Sequence, residues 1–335
     1  MRIVVYGAGG IGCYVGGRLA AAGADVTLIG RQRLAGELAE HGLHLTDYLG
    51  ADLRVAAEEI HYETTPEAAA EADLALVTVK SAATATAADE LAAVLKPGAI
   101  VVSFQNGIRN GEILRERLPD RTVLSGIVPF NVLNRGGGAF HQGTEGSLDI
   151  AKHPALAPYV ETFARAGLPL TQHDDILPVQ WAKLLLNLNN PVNALSDLPL
   201  RDELAQRAYR RCLAAAQSET LELLSAAGIR PARLMVVPPK RLPTLLGLPD
   251  FLFRRLASKM LAIDPHARTS MWEDLQAGRR TEIDYLNGEV VRLAESLGRT
   301  APVNAKLIEL IRAVESGRAR GMTGPDLLRE LTGAK

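Results

Sequence analysis

The sequence predicts an α/β protein, with an N-terminal Rossmann-type doubly wound parallel sheet and an all-α C-terminal domain. Three observations carry this reading. The apolar run Ile3-Val4-Val5-Tyr6 leads directly into Gly7-Ala8-Gly9-Gly10-Ile11-Gly12. Short apolar runs then alternate with helical segments through the first half. From about residue 174 onward helical periodicity dominates. The expected domains are 1–172 and 173–335.

The first run reads as a buried parallel strand, and the segment after Gly12 reads as a helix followed by a second strand. Glycines at a strand-to-helix turn, in the pattern Gly7-x-Gly9-x-x-Gly12, form a dinucleotide-binding fingerprint. Gly7 permits the tight turn, Gly9 lets the backbone approach a pyrophosphate, and Gly12 allows close packing of helix on strand. The diphosphate then rests on free N–H groups at the positive end of the helix. The second strand, Val26-Thr27-Leu28-Ile29, ends in Gly30-Arg31-Gln32-Arg33. An NAD site expects a carboxylate there, whereas a guanidinium suits a 2′-phosphate. NADP(H) is therefore the expected cofactor, with Arg31 a firmer contact than Arg33.

Short β-like pieces follow around His44-Leu45 and Leu53-Arg54-Val55. Leu74–Val79 reads as a buried strand ending in Lys80, and an alanine-rich helix over roughly 84–95 is stopped by Pro97-Gly98. The strand Ile100–Phe104 ends in Gln105-Asn106-Gly107, and a polar helix covers about 109–117. A strand over 123–128 and a hairpin turning at Gly136-Gly137-Gly138 are expected to complete the sheet with an antiparallel extension. In such sheets ligands bind beyond the carboxyl ends of the strands, where Lys80 and Asn106 lie.

In the second half, helices are expected over roughly 174–190, 201–227, 250–262, 268–277, 281–297 and 303–316. Prolines crowd 229–249, which reads as an irregular connection. The active site is expected between the two domains.

Bulk properties narrow the class. A length of 335 residues fits two domains, and 47% hydrophobic residues supply a sizeable core. With 37 basic and 38 acidic residues the formal charge is −1, which argues against nucleic acid or an anionic membrane as the main partner. Cys13 and Cys212 lie far apart and read as free thiols in a reducing compartment. No zinc-type Cys and His spacing occurs, so no metal is expected. The N-terminal apolar run is too short for a signal peptide, and no run is long enough to span a membrane. A cytoplasmic protein is expected.

The segment Gln180–Asn190 carries an unusual polar stripe on a leucine-rich helix. At about 100° per residue, Lys183, Asn187 and Asn190 share one face. Aligned polar groups on such a helix are costly unless they meet polar partners, and a substrate carbonyl, hydroxyl or carboxylate is one such partner. A lysine ammonium can polarise a ketone and protonate its oxygen as hydride reaches carbon. Pro191 is expected to end or kink the helix near Asn190. Thr269 and Ser270 stand where a helix N-cap belongs. Glu282 stands at the start of the 281–297 helix, where the helix dipole favours an acid. On pattern alone these positions suit either structure or chemistry.

Taken together, these segments resemble the ketopantoate reductase (2-dehydropantoate 2-reductase) family nearly from end to end. The resemblance is carried by Gly7-x-Gly9-x-x-Gly12, Arg31, VTVKS with Lys80, QNG with Asn106, WAKLLLN with Lys183 and Asn187, and SMWEDLQAGRRTEIDYLNG with Ser270 and Glu282. It implies NADPH-dependent reduction of ketopantoate to pantoate, for pantothenate and coenzyme A synthesis. It implies that Lys183 and Glu282 are the catalytic residues, Lys183 being the proton donor, and that Asn106, Lys183, Asn187, Asn190 and Ser270 contact substrate, with Ser270 on its carboxylate. Glu282 would orient cofactor or substrate hydroxyls, and Arg31, Lys80 and Asn106 would contact the cofactor. Three departures bear on the substrate. The family's second helix Asn usually sits eight residues after the lysine, where this chain has Pro191, with Asn190 one position earlier. Leu200 stands where another family Asn is expected, and the 229–265 connection looks longer than in compact members. A reductase of a different 2-oxo acid or ketone, and an NADPH-sensing regulator without turnover, stay open as alternatives. The expected partner is a small-molecule 2-oxo acid, with a homodimer as a candidate assembly.

Overall fold

The computed structural model describes residues 1–257 and 267–333. The chain divides into two units, Met1–Ile176 and Leu177–Lys335.

The first unit runs β1 (Arg2–Tyr6), α1 (Gly10–Ala21), β2 (Asp25–Ile29), α2 (Gln32–His41), β3 (Leu43–Asp47), β4 (Asp52–Val55), β5 (His61–Glu63), β6 (Leu74–Val77) and α3 (Thr84–Val94). It continues with β7 (Ile100–Phe104), α4 (Asn110–Arg117), β8 (Thr122–Ile127), β9 (Val132–Gly136), β10 (Ala139–Gln142), β11 (Leu148–Ala151), α5 (Ala157–Arg165) and β12 (Leu170–His173). The main sheet has the order β12-β11-β8-β7-β6-β1-β2-β5. Strands β5, β2, β1, β6, β7 and β8 pair in parallel, and the order reverses at the β1–β6 step. Both faces are buried, as the apolar runs predict. Ile3, Val5, Leu74 and Leu76 pack in one core with Tyr14, Val15 and Leu19 of α1. Their neighbours Val4, Tyr6, Ala75 and Val77 face the opposite core, with Ala87 and Leu91 of α3 and Leu114 of α4.

The antiparallel extension differs from expectation. It is β11, antiparallel to β8 and parallel to β12. The hairpin around Gly136-Gly137-Gly138 does not join the main sheet. It forms a separate sheet, β4-β3-β10-β9, in which β10 runs parallel to β3. The β-like pieces near 44 and 54 belong to this second sheet, which packs against α1.

The second unit contains α6 (Leu177–Asn187), α7 (Asn189–Ser196), α8 (Leu200–Leu204), α9 (Arg207–Ala226), α10 (Leu242–Leu246), α11 (Asp250–Leu256), α12 (Ser270–Gln276), α13 (Asn287–Ser296), α14 (Pro302–Glu315) and α15 (Gly324–Thr332). The helix expected over 174–190 breaks at Leu188, earlier than Asn190. Pro191 has no N–H for the carbonyl four residues back, and its ring clashes with that carbonyl, which belongs to Asn187. The helix expected over 201–227 is two helices, because the chain turns at Ala205 and Gln206. The helix expected over 281–297 opens as a 3-10 turn, Ile283–Tyr285, and becomes α-helical only from Asn287. The helix expected over 250–262 is described only to Leu256; residues 258–262, and with them the last part of the 229–265 connection, lie outside the described residues.

The connection itself is more ordered than its prolines suggest. Arg210, fully buried on α9, donates to the carbonyls of Leu204, Leu246 and Leu248 and pairs with Asp250 at 2.9 Å. Its guanidinium also stacks over Phe253. These bonds tie α10 and the start of α11 to α9. Among the described residues no helix is long and apolar enough to cross a membrane.

Candidate active site

In the first unit, the glycine turn is held from three sides. Gly7 has φ of +116°, a left-handed backbone that an L side chain would strain. The N–H groups of Gly7 and Ala8 both donate to the Ile29 carbonyl at 2.9 Å. The Thr78 hydroxyl donates to the Gly7 carbonyl at 2.8 Å, tying the loop after β6 to the loop after β1. A Cβ on Gly12 would stand 2.3 Å from that same carbonyl oxygen and 2.8 Å from Thr78 Oγ1. Only glycine lets α1 start this close to β1. At Gly9 a Cβ would meet nothing nearer than the Gly7 oxygen at 4.0 Å, so the N-cap of α1 faces open space. No acid sits in the first turn of α1, and the N–H groups of Gly10, Ile11 and Gly12 have no intrahelical partners. This cradle fits a diphosphate.

Arg31 is the N-cap residue of α2, directly beyond β2, and it is exposed. The Tyr62 hydroxyl donates to the Arg31 carbonyl at 3.0 Å, which fixes the corner without engaging the guanidinium. Among the described residues the Arg31 guanidinium has no ion-pair partner, so it can meet a phosphate. Arg33 instead lies 3.8 Å from Glu37 along α2.

Lys80 and Asn106 follow β6 and β7. Lys80 is exposed and precedes a 3-10 turn, Ser81–Ala83. Asn106 is half-buried, and its carbonyl accepts from Ser81 Oγ at 3.0 Å and Asn110 Nδ2 at 2.6 Å. A buried polar network sits beneath both loops. Gln105 donates to the Val79 carbonyl and to Thr84 Oγ1, and Thr84 donates to Asn110 Oδ1. Loops carrying Lys80 and Asn106 are thereby locked together.

In the second unit, Lys183 and Asn187 stand one turn apart on α6, each partly exposed. Burial pushes Lys183 down to about 8. That value places its ammonium near the ideal for a general acid at neutral pH. Asn190 stands on α7, with only 8% of its surface exposed. Its side-chain amide makes no hydrogen bond among the described residues. Thr269, not Ser270, caps α12, accepting from the Trp272 N–H at 3.4 Å. Ser270 is the first helical residue and is exposed. Thr269 Oγ1 reaches the Asn190 carbonyl at 3.4 Å, so the fold brings Asn190 beside the head of α12 across 79 residues of sequence. Glu282 precedes the 3-10 turn, and its neighbour Thr281 donates through N–H and hydroxyl to Glu315, both at 2.8 Å. Leu200 begins α8, with its N–H on the Ala267 carbonyl.

One buried cluster escaped the sequence reading. Glu203, on α8, is fully buried and accepts from Asn193 Nδ2 at 2.8 Å and Asn189 Nδ2 at 3.3 Å. The i, i+4 spacing of Asn189 and Asn193 on a helix buried along its whole length was the available signal, but nothing local pointed to Glu203.

Comparison with known proteins finds relatives along most of the chain. The family described as "Ketopantoate reductase PanE/ApbA" matches residues 3–155, and its C-terminal counterpart matches 175–315. A 2-dehydropantoate 2-reductase of Halobacterium salinarum is 31% identical over 325 residues, covering 94% of this chain and 99% of that protein. One from Archaeoglobus fulgidus is 28% identical over 322 residues, covering 94% and 98%. The crystal structure of a PanE/ApbA family ketopantoate reductase from Ralstonia eutropha superposes with a TM-score of 0.80 at 30% identity, covering 94% of this chain and 99% of that one. With both halves matched, the chain belongs to the ketopantoate reductase PanE/ApbA family.

Proposed function

We propose that this protein is an NADPH-dependent reductase that converts 2-dehydropantoate to pantoate, with the roles of its site residues assigned as follows. It is an oxidoreductase acting on a CH–OH group. The bound nicotinamide supplies hydride to the 2-keto carbon. Lys183 hydrogen-bonds the keto oxygen, polarises it, and delivers the proton that completes the alcohol. An ammonium with a value near 8 is mostly protonated at neutral pH yet gives up its proton readily. The single observation that carries this assignment is that desolvated lysine on the same helix as Asn187.

The remaining residues bind and orient. The cradle from Gly7 to Gly12 receives the diphosphate, Arg31 the 2′-phosphate, and Lys80 and Asn106 other parts of the cofactor. Asn106 also contacts substrate. Asn187 and Asn190 supply amides to substrate oxygens, and Ser270 offers its hydroxyl to the carboxylate. Glu282 holds cofactor or substrate hydroxyls. The location we assign is cytoplasmic, which fits two free buried cysteines. The assembly we assign is a homodimer, to be read by sedimentation velocity.

Leu200 favours a second reading, reduction of a different 2-oxo acid, because an apolar side chain opens α8 where the family pattern expects an amide. Comparing kcat/KM for ketopantoate with values for several other 2-oxo acids, with NADPH and NADH, tests both. Preference for ketopantoate with NADPH supports the first reading. Preference for another 2-oxo acid supports the second, and no turnover with any of them overturns both.

A further inference from the structure

We propose that Glu203 is a positioning residue whose carboxyl fixes Asn193, and through Asn193 and Thr269 holds Ser270 at the head of α12. The role of Ser270 rests on the function proposed above.

The chain of contacts is continuous. Glu203 Oε2 accepts from Asn193 Nδ2 at 2.8 Å. Asn193 Oδ1 accepts from the Thr269 N–H at 3.1 Å and from Thr269 Oγ1 at 3.3 Å. Thr269 Oγ1 in turn accepts from the Trp272 N–H and caps α12. Asn193, Glu203 and Thr269 are all buried, the first two completely. A second tie runs beside the first, from the Leu200 N–H on α8 to the Ala267 carbonyl at 2.9 Å. So α8 grips the approach to α12 at two points, and Ser270 is the next residue in the chain.

The carboxyl is neutral on physical grounds. A fully buried carboxylate is costly unless a cation meets it, and Glu203 has no ion-pair partner among the described residues. Its hydrogen-bond partners are two amides. Burial pushes the group up to about 8, with the Asn193 and Asn189 bonds opposing the shift. Glu203 Oε1 and Asn189 Oδ1 are both buried acceptors without a hydrogen-bond partner among the described residues. A proton on Oε1 turns one of these buried acceptors into a donor and spares the site a buried charge. Glutamine reproduces that pattern with one acceptor and one donor. Leucine removes it, takes from Asn189 Nδ2 the carboxyl oxygen it donates to, and leaves Asn193 Nδ2 only the Leu198 carbonyl at 2.9 Å.

The test uses Glu203→Gln and Glu203→Leu, each alone and combined with Ser270→Ala. The readouts are kcat and KM for ketopantoate, NADPH affinity by fluorescence, and hydrogen exchange of peptides spanning 267–276. Glu203→Leu should raise KM by about tenfold, the size of one lost hydrogen bond. Under this proposal kcat changes by less than about threefold and NADPH affinity is unaltered. Glu203→Gln should stay within about twofold of the parent on every readout. In the Ser270→Ala background the Glu203→Leu effect on KM should largely vanish, because both changes disable one unit. Exchange in 267–276 should accelerate in Glu203→Leu and not in Glu203→Gln. Multiplicative KM effects, a Glu203→Gln variant as impaired as Glu203→Leu, or unchanged exchange would overturn the proposal. If the parent chain does not reduce ketopantoate, the functional reading fails by itself, and exchange still decides whether Glu203 orders α12.

Discussion

Replacing Lys183 with methionine should raise stability and sharply lower kcat in one step. Burial lowers this lysine from the usual 10.5 to about 8. That displacement corresponds to roughly 3 kcal/mol spent keeping the charged form inside the folded chain. The pH dependence follows from proton counts. Below about pH 8 the group is protonated in both folded and unfolded chains, and the cost is felt in full. Between about pH 8 and 10.5 the folded chain releases the proton while the unfolded chain keeps it, so stability rises with pH. Above that window the cost is gone. Methionine fills a similar volume without charge, so Lys183→Met should exceed the parent by roughly 2–3 kcal/mol near neutral pH. The advantage should disappear above about pH 10. Catalysis should move the other way, with kcat falling by about 10² or more because no group delivers the proton. In the parent, kcat should decline about tenfold per pH unit above about 8, as the acid form is lost. Denaturant unfolding across pH and steady-state loss of NADPH absorbance read the two halves. A Lys183→Met enzyme that keeps the parental kcat and pH profile refutes the acid assignment. A stability difference that ignores pH refutes the desolvation argument.

Arg31→Ala should weaken NADPH by roughly 1–3 kcal/mol and leave NADH nearly unchanged, as read by calorimetric titration; equal losses would remove Arg31 from the 2′-phosphate. Gly12→Ala puts a methyl 2.3 Å from the Gly7 oxygen, so α1 must shift, and NADPH affinity should fall at least about tenfold along with a lower Tm. Normal affinity and Tm would mean that the turn tolerates the methyl. Asn190→Ala and Ser270→Ala should each cost roughly 1–3 kcal/mol in kcat/KM, mostly through KM; an Asn190→Ala variant with unchanged kinetics would place substrate recognition elsewhere.

Much of the first unit was legible because its signals are local. Ile3 to Tyr6, the glycine turn and Arg31 lie within about thirty residues, and turn geometry there depends on near neighbours. The buried strands before Lys80 and Asn106 announced themselves as apolar runs, and those residues fall just beyond β6 and β7. Of the polar stripe read from spacing, Lys183 and Asn187 do share α6, whereas Asn190 falls on α7. The likeness to ketopantoate reductases, legible in motifs of the same kind, agrees with the family match over both halves.

What the sequence determined by itself was therefore periodicity, turn chemistry and the residue types offered to a cofactor. Tertiary structure decided partners and environment. Strand β10 pairs with β3 across about a hundred residues, so the hairpin left the main sheet although its turn was correctly placed. The break at Leu188, not at Asn190, follows from a clash one turn before Pro191, which moves Asn190 onto a separate helix beside Thr269. Glu203 finds Asn193 ten residues away, and Asn193 finds Thr269 76 residues away, with no periodic signal linking them. The acidity of Lys183 is likewise a property of its surroundings. A side chain's identity is written in the chain, but its dielectric and its hydrogen-bond partners exist only once distant segments have packed around it.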